Sequence, residues 1–275
     1  MADSLRLLIV GAHPDDADYA AGGTAALYRS AGHTVHMVSL TNGDAGHHLK
    51  AGPELARRRK AEAAASGNVI GAVYEVLDNH DGELLPTLEN RRNVIRLIRS
   101  FRPDLVLTHR PNDYHPDHRY TSQLVQDAAY MVTVPPVVPD VPHLKKNPVI
   151  AYLPDEFAKP YPFEPAITVG VDDVIDKIIG MLHCHTSQFY EWLPYNMGVA
   201  HEVPRTESER KEWLGRLVKL RLRKQAERFR HGLIRNYGAE QGRRIQYAEA
   251  FEGCEYGAPF DEAARRRLFP FVPHA

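Results

Sequence analysis

The chain has 275 residues, of which 43% are hydrophobic and 25% charged, with a net charge of −1 and a pI near 7.0. This composition is ordinary for a folded globular protein and excludes a disordered or collagen-like chain. The net charge is close to zero and creates no general attraction to nucleic acid or anionic membranes, so we expect no nucleic-acid partner.

The most apolar run near the N-terminus, residues 7–12, is far shorter than the ~20 residues that a bilayer requires. No signal-peptide cleavage pattern follows it. Two cysteines, Cys184 and Cys254, are too few for a disulfide framework. We therefore expect a cytoplasmic protein without a membrane span.

Strand-like and helix-like segments alternate through the first half of the chain. Residues 5–12 form a continuous apolar run, typical of a buried parallel strand. The pattern predicts further strands over 34–40, 73–77 and 104–108, and helices over 17–31, 53–68, 90–101 and 119–132. This alternation predicts a Rossmann-like α/β fold, with a mainly parallel sheet and helices on both faces.

The second half of the chain begins with a proline-rich segment, because nine of the 20 prolines lie between residues 135 and 165. This density favours an ordered loop around one strand at 149–153, forming a wall or lid of a site. Helices are predicted over 172–188 and 206–235. We expect a single domain, residues 1–275, in which 1–134 form the core with the site motifs. Residues 135–275 add substrate-shaping segments and a C-terminal helical elaboration.

The first chemical motif, His13-Pro14-Asp15-Asp16, follows the first strand, and ligands of open α/β sheets bind at the carboxyl ends of strands. Two carboxylates would repel a phosphate and attract a cation, which argues against a dinucleotide site. His13 and Asp16 can point at one metal ion, with Asp15 beside it as a general base for metal-bound water. An alternative interpretation is that an aspartate here only caps the next helix.

The second motif spans residues 109–118 and follows the strand predicted at 104–108. It contains three histidines and two aspartates and lies at the same edge of the sheet. A solvated loop with Asp117 as a helix cap is the alternative interpretation. Two His/Asp clusters at equivalent strand ends favour a metal site, and nitrogen and oxygen ligands favour zinc with three protein ligands and one open position.

The motifs His13-Pro14-Asp15-Asp16 and His115-Pro116-Asp117-His118 together resemble the LmbE-like, or PIG-L, family of zinc-dependent N-deacetylases. Residues 41–46, 59–62, 177–188 and 247–251 resemble further family motifs in the same order along the chain. Two positions depart from the family pattern, since Asp44 replaces a glutamate and Gly180 replaces an alanine.

The resemblance implies roles for individual residues. The zinc ligands would be His13, Asp16 and His118, although such a donor set also accepts iron. Asp15 would be the general base, and His115 would stabilise the oxyanion or protonate the leaving amine. Asp117 would orient a histidine. The residues implied to face the substrate are Arg59, Asn42, Asp44 and His185.

The reaction implied by the resemblance is removal of acetate from an N-acetylglucosamine-type group on a small conjugate. A metal-dependent amidase of the same fold that acts on a non-sugar amide remains an alternative. Residues 135–275 would shape the substrate pocket, but they contain no motif that indicates the substrate. A non-catalytic binding protein is a third hypothesis. The family resemblance also implies a homo-oligomer, either a trimer or a hexamer.

Overall fold

A computed structural model of the chain describes residues 4–275. Its centre is a seven-stranded sheet in the order β3-β2-β1-β4-β5-β7-β6. The strands are β1 (Arg6–Gly11), β2 (Thr34–Thr41), β3 (Val73–Asn79), β4 (Leu105–Thr108), β5 (Val149–Tyr152), β6 (Ile167–Gly170) and β7 (Ala248–Gly253). The first five strands pair in parallel, whereas β7 runs antiparallel to both of its neighbours. The predicted Rossmann-like α/β fold is confirmed.

Helices pack on both faces of this sheet. They are α1 (Asp16–Ser30), α2 (Gly52–Ile70), α3 (Leu88–Phe101), α4 (Pro116–Met131), α5 (Ile175–Cys184), α6 (Leu193–Asn196), α7 (Glu207–Arg228), α8 (Arg230–Tyr237), α9 (Ala239–Arg244) and α10 (Glu262–Leu268). Leu7 and Ile9 of β1 point to the face of the sheet that α1, α2, α5 and α7 cover. Leu8 and Val10 point to the other face and pack against α3 and α4. Both faces of β1 are therefore buried, which explains its continuous apolar run. None of the described helices is both long and apolar enough to cross a bilayer.

Helix α4 begins at Pro116, three residues before its predicted start. The ring of His115 caps it, because Nδ1 accepts a hydrogen bond of 3.2 Å from the backbone N–H of Asp117. The cap predicted by the alternative interpretation at Asp117 is therefore wrong. The Asp117 carboxylate instead accepts hydrogen bonds from the backbone N–H groups of Gly82 and Leu84. These contacts fix Asp117 and His118 in the first turn of the helix.

The C-terminal part is not only helical, since it includes β6 and β7, which the sequence pattern did not predict. The helix predicted over 206–235 is divided at Phe229, whose φ of −109° and ψ of 25° separate α7 from α8. The helix predicted over 172–188 ends at Cys184, and one turn of π-helix follows over Gln188–Trp192.

The family-like segment 247–251 forms most of β7, and its Glu249 connects the sheet to α1. Helix α1 is kinked at Ala21, where φ is −142°. Just after the kink, the Glu249 carboxylate accepts hydrogen bonds from the N–H groups of Gly23 and Thr24 and from the Thr24 hydroxyl, at 2.7–2.8 Å. A kinked helix frees such backbone donors, and Glu249 satisfies them as a cap would.

Two buried arginines hold the proline-rich segment against the core. Arg99 of α3 donates hydrogen bonds of 2.6–3.1 Å to the backbone carbonyl oxygens of Met131, Val132, Val134, Val137, Val138 and Val141. Val138 has a φ of 49°, a costly conformation for a β-branched residue. Arg110, just after β4, donates to the Asp155 carboxylate and to the carbonyl oxygens of Phe157 and Tyr161.

We expect Arg99→Met to lower the free energy of unfolding by about 3 kcal/mol or more, because several buried carbonyl groups lose their partner. Urea denaturation measures this change. Arg92→Met, at an exposed position of the same helix, is the matched control and should stay within about 0.5 kcal/mol of the wild type. Equal small effects of both substitutions would show that Arg99 does not hold the segment.

Candidate functional site

Both chemical motifs leave the sheet at the same edge, since β1 and β4 are neighbouring parallel strands. Val10 pairs with Thr108, so the residues that follow the two strands emerge side by side. The Asp16 carboxylate accepts hydrogen bonds from the N–H groups of Ala12 and His13, at 2.9 and 2.7 Å. These bonds fold the turn after β1 and hold the carboxylate at the strand end.

The three predicted metal ligands converge at this edge. Nδ1 of His13 lies 3.2 Å from Nε2 of His118 and 3.5 Å from Oδ2 of Asp16, and Nε2 of His118 lies 3.5 Å from Oδ1 of Asp16. A tetrahedral zinc ion about 2.0–2.1 Å from each ligand sets its ligand atoms about 3.3 Å apart. The donor types suit zinc and the closest atoms of the three side chains are near this spacing, although His13 approaches Oδ2 of Asp16 and His118 approaches Oδ1.

Carboxylates lie behind both histidines of this set. Nε2 of His13 is 3.2 Å from Asp81 and 3.4 Å from Asp117, and Nδ1 of His118 is 3.1 Å from Asp113. The His13 contacts are ion-pair distances without hydrogen-bond alignment, so Nε2 of His13 has no hydrogen-bond partner among residues 4–275. Burial alone would lower the pKa of His13, but Asp117 and Asp16 raise it well above its usual value. Carboxylates in this position orient metal-binding histidines.

His109 belongs to the site, although no role was predicted for it from the sequence. Its Nε2 lies 3.1 Å from the Asp16 carboxylate, and its ring stacks on His118 with centroids 3.9 Å apart. Burial and the neighbouring His118 lower the pKa of His109, which favours a neutral ring. Its position directly after β4 was the available signal. Ligand atoms of Asp16, His109 and His118 also lie within 4.8 Å of one another, as do those of two groups that contain His13 and His115, so each of these groups could hold a metal ion instead.

Asp15 stands beside the predicted ligands and is held by Arg59. It occupies the N-cap position of α1, but its side chain makes no cap hydrogen bond. Its Oδ1 instead accepts a hydrogen bond of 2.9 Å from Nη2 of Arg59. The loop after β2 wraps this guanidinium so closely that a Cβ at Gly43 or Gly46 would lie 2.5–2.7 Å from Arg59 Nη1. Arg59 is thus buried against the predicted base.

His115 is half-buried beside the predicted ligands, and its ring meets that of His13 edge to face with centroids 4.5 Å apart. Burial, together with His13 and His118, lowers the pKa of His115. Because Nδ1 accepts the backbone N–H of Asp117, the neutral ring carries its proton on Nε2. His115 is therefore a hydrogen-bond donor at this site.

The other residues implied to face the substrate are buried and bonded to protein groups. Asn42 donates to Asp78, and the Asp44 carboxylate contacts Nδ1 of His80 at 2.7 Å and accepts from the N–H of Asp81. Nε2 of His185 lies 2.6 Å from Asp18, which also accepts a hydrogen bond from Ser66. These contacts place Asn42 and Asp44 in the loops beside Asp81, and place His185 at the end of α5 against α1.

A cleft opens over the predicted ligands and divides into two arms. The polar arm, about 390 Å³, is lined among others by Asp155, Glu156, Lys224, Gln225 and Arg228. The apolar arm, about 500 Å³, is lined among others by Phe189, Leu193, Met197, Trp213 and Leu217. The residues that line both arms are Asp16, Tyr19, Tyr114, His118 and Arg221. A larger groove of about 930 Å³ lies between β3 and α3 and contains none of the predicted metal ligands.

We expect His118→Ala to lower zinc affinity more than about 100-fold, whereas His109→Gln should lower it by about 10–100-fold, the usual cost of losing a residue that only orients a ligand. Calorimetric titration of the apoprotein with zinc measures both. Equal losses would instead favour the alternative set that contains His109.

The sequence model of the PIG-L family, described as GlcNAc-PI de-N-acetylase, matches residues 8–129. The chain is 30% identical over 213 residues to the diacetylchitobiose deacetylase of Thermococcus kodakarensis, which covers 72% of this chain and 77% of the relative. It is also 26% identical to the 4-oxalmesaconate hydratase of Pseudomonas putida, over 68% of this chain and 76% of that protein.

Among solved structures, the N,N'-diacetylchitobiose deacetylase of Pyrococcus horikoshii matches with a TM-score of 0.70 at 22% identity. The match covers 92% of this chain and 85% of that one. At this identity the likeness supports the fold alone.

Proposed function

Because the chain belongs to the PIG-L family of N-deacetylases, we propose that it removes acetate from an N-acetylglucosamine-type group on a small conjugate, in a zinc-dependent reaction. The observation that carries the proposal is the convergence of His13, Asp16 and His118, with ligand atoms 3.2–3.5 Å apart and Asp15 beside them. The 30% identity to a diacetylchitobiose deacetylase supports the sugar substrate.

His13, Asp16 and His118 would hold the metal, with iron as an alternative to zinc in the cell. A bound zinc ion would supply Lewis acidity, which polarises a carbonyl group and lowers the pKa of water toward ~7. Asp81, Asp117 and Asp113 lie behind the two histidines and would keep them oriented.

Asp15 would act as the general base and take the proton from the attacking water. Its side chain lines the cleft, and the bond from Arg59 restricts the orientation of its carboxylate. This bond makes Arg59 a positioning residue for the base. Asp15 could then return the proton to the leaving amine as the C–N bond breaks.

His115 would donate from Nε2 to the oxygen that becomes negatively charged when water adds to the amide carbon. A fixed donor at that position typically contributes about 2–4 kcal/mol to the transition state. Asp117 supports this donor indirectly, since its backbone N–H sets the tautomer of the ring. Four residues remain predictions as substrate contacts: Arg59, Asn42, Asp44 and His185.

We expect Asp15→Asn to lower kcat for acetate release by about 10²–10⁴-fold, the usual contribution of a general base, with zinc content unchanged. The measurement uses zinc-loaded protein and N-acetylglucosaminyl conjugates, with a chelated sample as the metal control. Asp176→Asn, an exposed aspartate of α5, should keep full activity. Undiminished turnover in Asp15→Asn would contradict the assigned base.

A wider panel, which adds non-sugar amides and a substrate with a carbon–carbon double bond, separates the alternatives. Zinc-dependent cleavage of only non-sugar amides would favour the amidase hypothesis. Hydration of a carbon–carbon double bond without acetate release would align the chain with its hydratase relative. A protein that binds zinc in a closed site and turns over nothing would be the non-catalytic binding protein.

The proposal includes a small glycoconjugate as partner and the cytoplasm as location. Both cysteines are free thiols, which suits a reducing compartment. A trimer or hexamer remains a prediction, and measurement of the mass in solution tests it.

A further inference from the structure

Arg221 of α7 has unused hydrogen-bond donors at the junction of the two arms of the cleft. Its guanidinium lies 3.9 Å from the centroid of the Tyr19 ring. Its Nε and Nη2 atoms are buried and have no hydrogen-bond partner among residues 4–275. The side chain lines both the polar and the apolar arm, together with Asp16 and His118.

Buried cations are normally paired, because an unpaired charge loses its hydration without compensation. Burial lowers the pKa of Arg221, but an arginine remains protonated at neutral pH. The electrostatic influence of Glu249 reaches Arg221, although that carboxylate accepts its hydrogen bonds from Gly23 and Thr24. The ring of Tyr19 therefore compensates only part of the charge.

The polar arm next to Arg221 carries two further cationic side chains, and the carboxylates that line it contact groups other than Arg221 or face solvent. Lys224 and Arg228 follow one and two turns later along α7 and line the same arm. Of the carboxylates that line it, Asp155 is bound by Arg110, and Asp113 and Asp16 contact His118. Glu156 is exposed to solvent at the rim.

We propose that Arg221 binds a carboxylate or phosphate group of the substrate, so that the conjugate cleaved by this protein is anionic. The inference rests on the proposed function in taking the cleft as the substrate site. A guanidinium with two free N–H donors matches the paired oxygens of either anion. The neighbouring Gln225 has an unpartnered Oε1, which can accept a hydrogen bond from a hydroxyl group of the same ligand.

The test compares three substrates with zinc-loaded protein: methyl N-acetyl-α-glucosaminide, its carboxymethyl analogue and N-acetylglucosamine 1-phosphate. We expect kcat/KM to be at least tenfold higher for one of the two charged substrates than for the neutral one. Which charged substrate is preferred shows whether the site binds a carboxylate or a phosphate. Arg221→Gln should lower kcat/KM for that substrate about 10–100-fold, mainly through KM, and should lower kcat/KM for the neutral substrate by a much smaller factor.

Arg216→Gln, at an exposed position of the same helix, is the matched control. It should keep the higher kcat/KM for the charged substrate over the neutral one. Equal turnover of all three substrates by the wild type would overturn the inference. The same conclusion would follow if Arg221→Gln slowed neutral and charged substrates equally.

A binding measurement keeps the test independent of catalysis and of the stability of Arg221→Gln. Calorimetry with glucosamine 1-phosphate, carboxymethyl glucosaminide and methyl glucosaminide should show tighter binding of a charged compound, weakened about tenfold by Arg221→Lys because the paired donors are lost. Such binding without hydrolysis of any substrate would support the anion site and contradict the proposed deacetylation. Hydrolysis that shows no preference for charged compounds, either in turnover or in binding, would support the proposed deacetylation and contradict the anion site.

Discussion

The parallel pairing of β1 with β4 is the constraint on which the candidate site depends. The two strands are adjacent and in parallel register, so two motifs about a hundred residues apart in the sequence leave the sheet at one edge. Helices α1 and α4 then start five and eight residues after their strands end. Their first turns hold Asp16 and His118 in place, which brings both within reach of His13 without any long loop.

The same edge concentrates negative charge that the surrounding protein has to balance. The carboxylates gathered there are Asp15, Asp16, Asp81, Asp113 and Asp117. Burial alone would raise the pKa of Asp16, but His118 and His109 hold it well below its usual value. Arg59 bridges Asp15 and Asp81 from behind. A divalent cation would add the positive charge that such a cluster favours in a poorly hydrated site.

Three arginines with buried donor atoms show how the second half of the chain completes the cleft. Arg99 and Arg110 are hydrogen-bonded to protein groups, and they hold the two halves of the proline-rich segment. Arg221 has buried donors without such partners. This contrast separates arginines that stabilise the fold from one whose donors remain available to a ligand.

Local patterns were sufficient to predict the buried strands of the first half and the two His/Asp clusters, because both depend on residues close together in the sequence. Strands β6 and β7 were missed because they are short and pair antiparallel with each other across some 80 residues of chain. The contact of Arg59 with Asp15 and the place of His109 behind Asp16 likewise depend on distant segments. Arg221 looks like any other arginine of a charged helix until α7 packs over the cleft. Burial and long-range pairing give these residues their roles, and neither is encoded in local spacing.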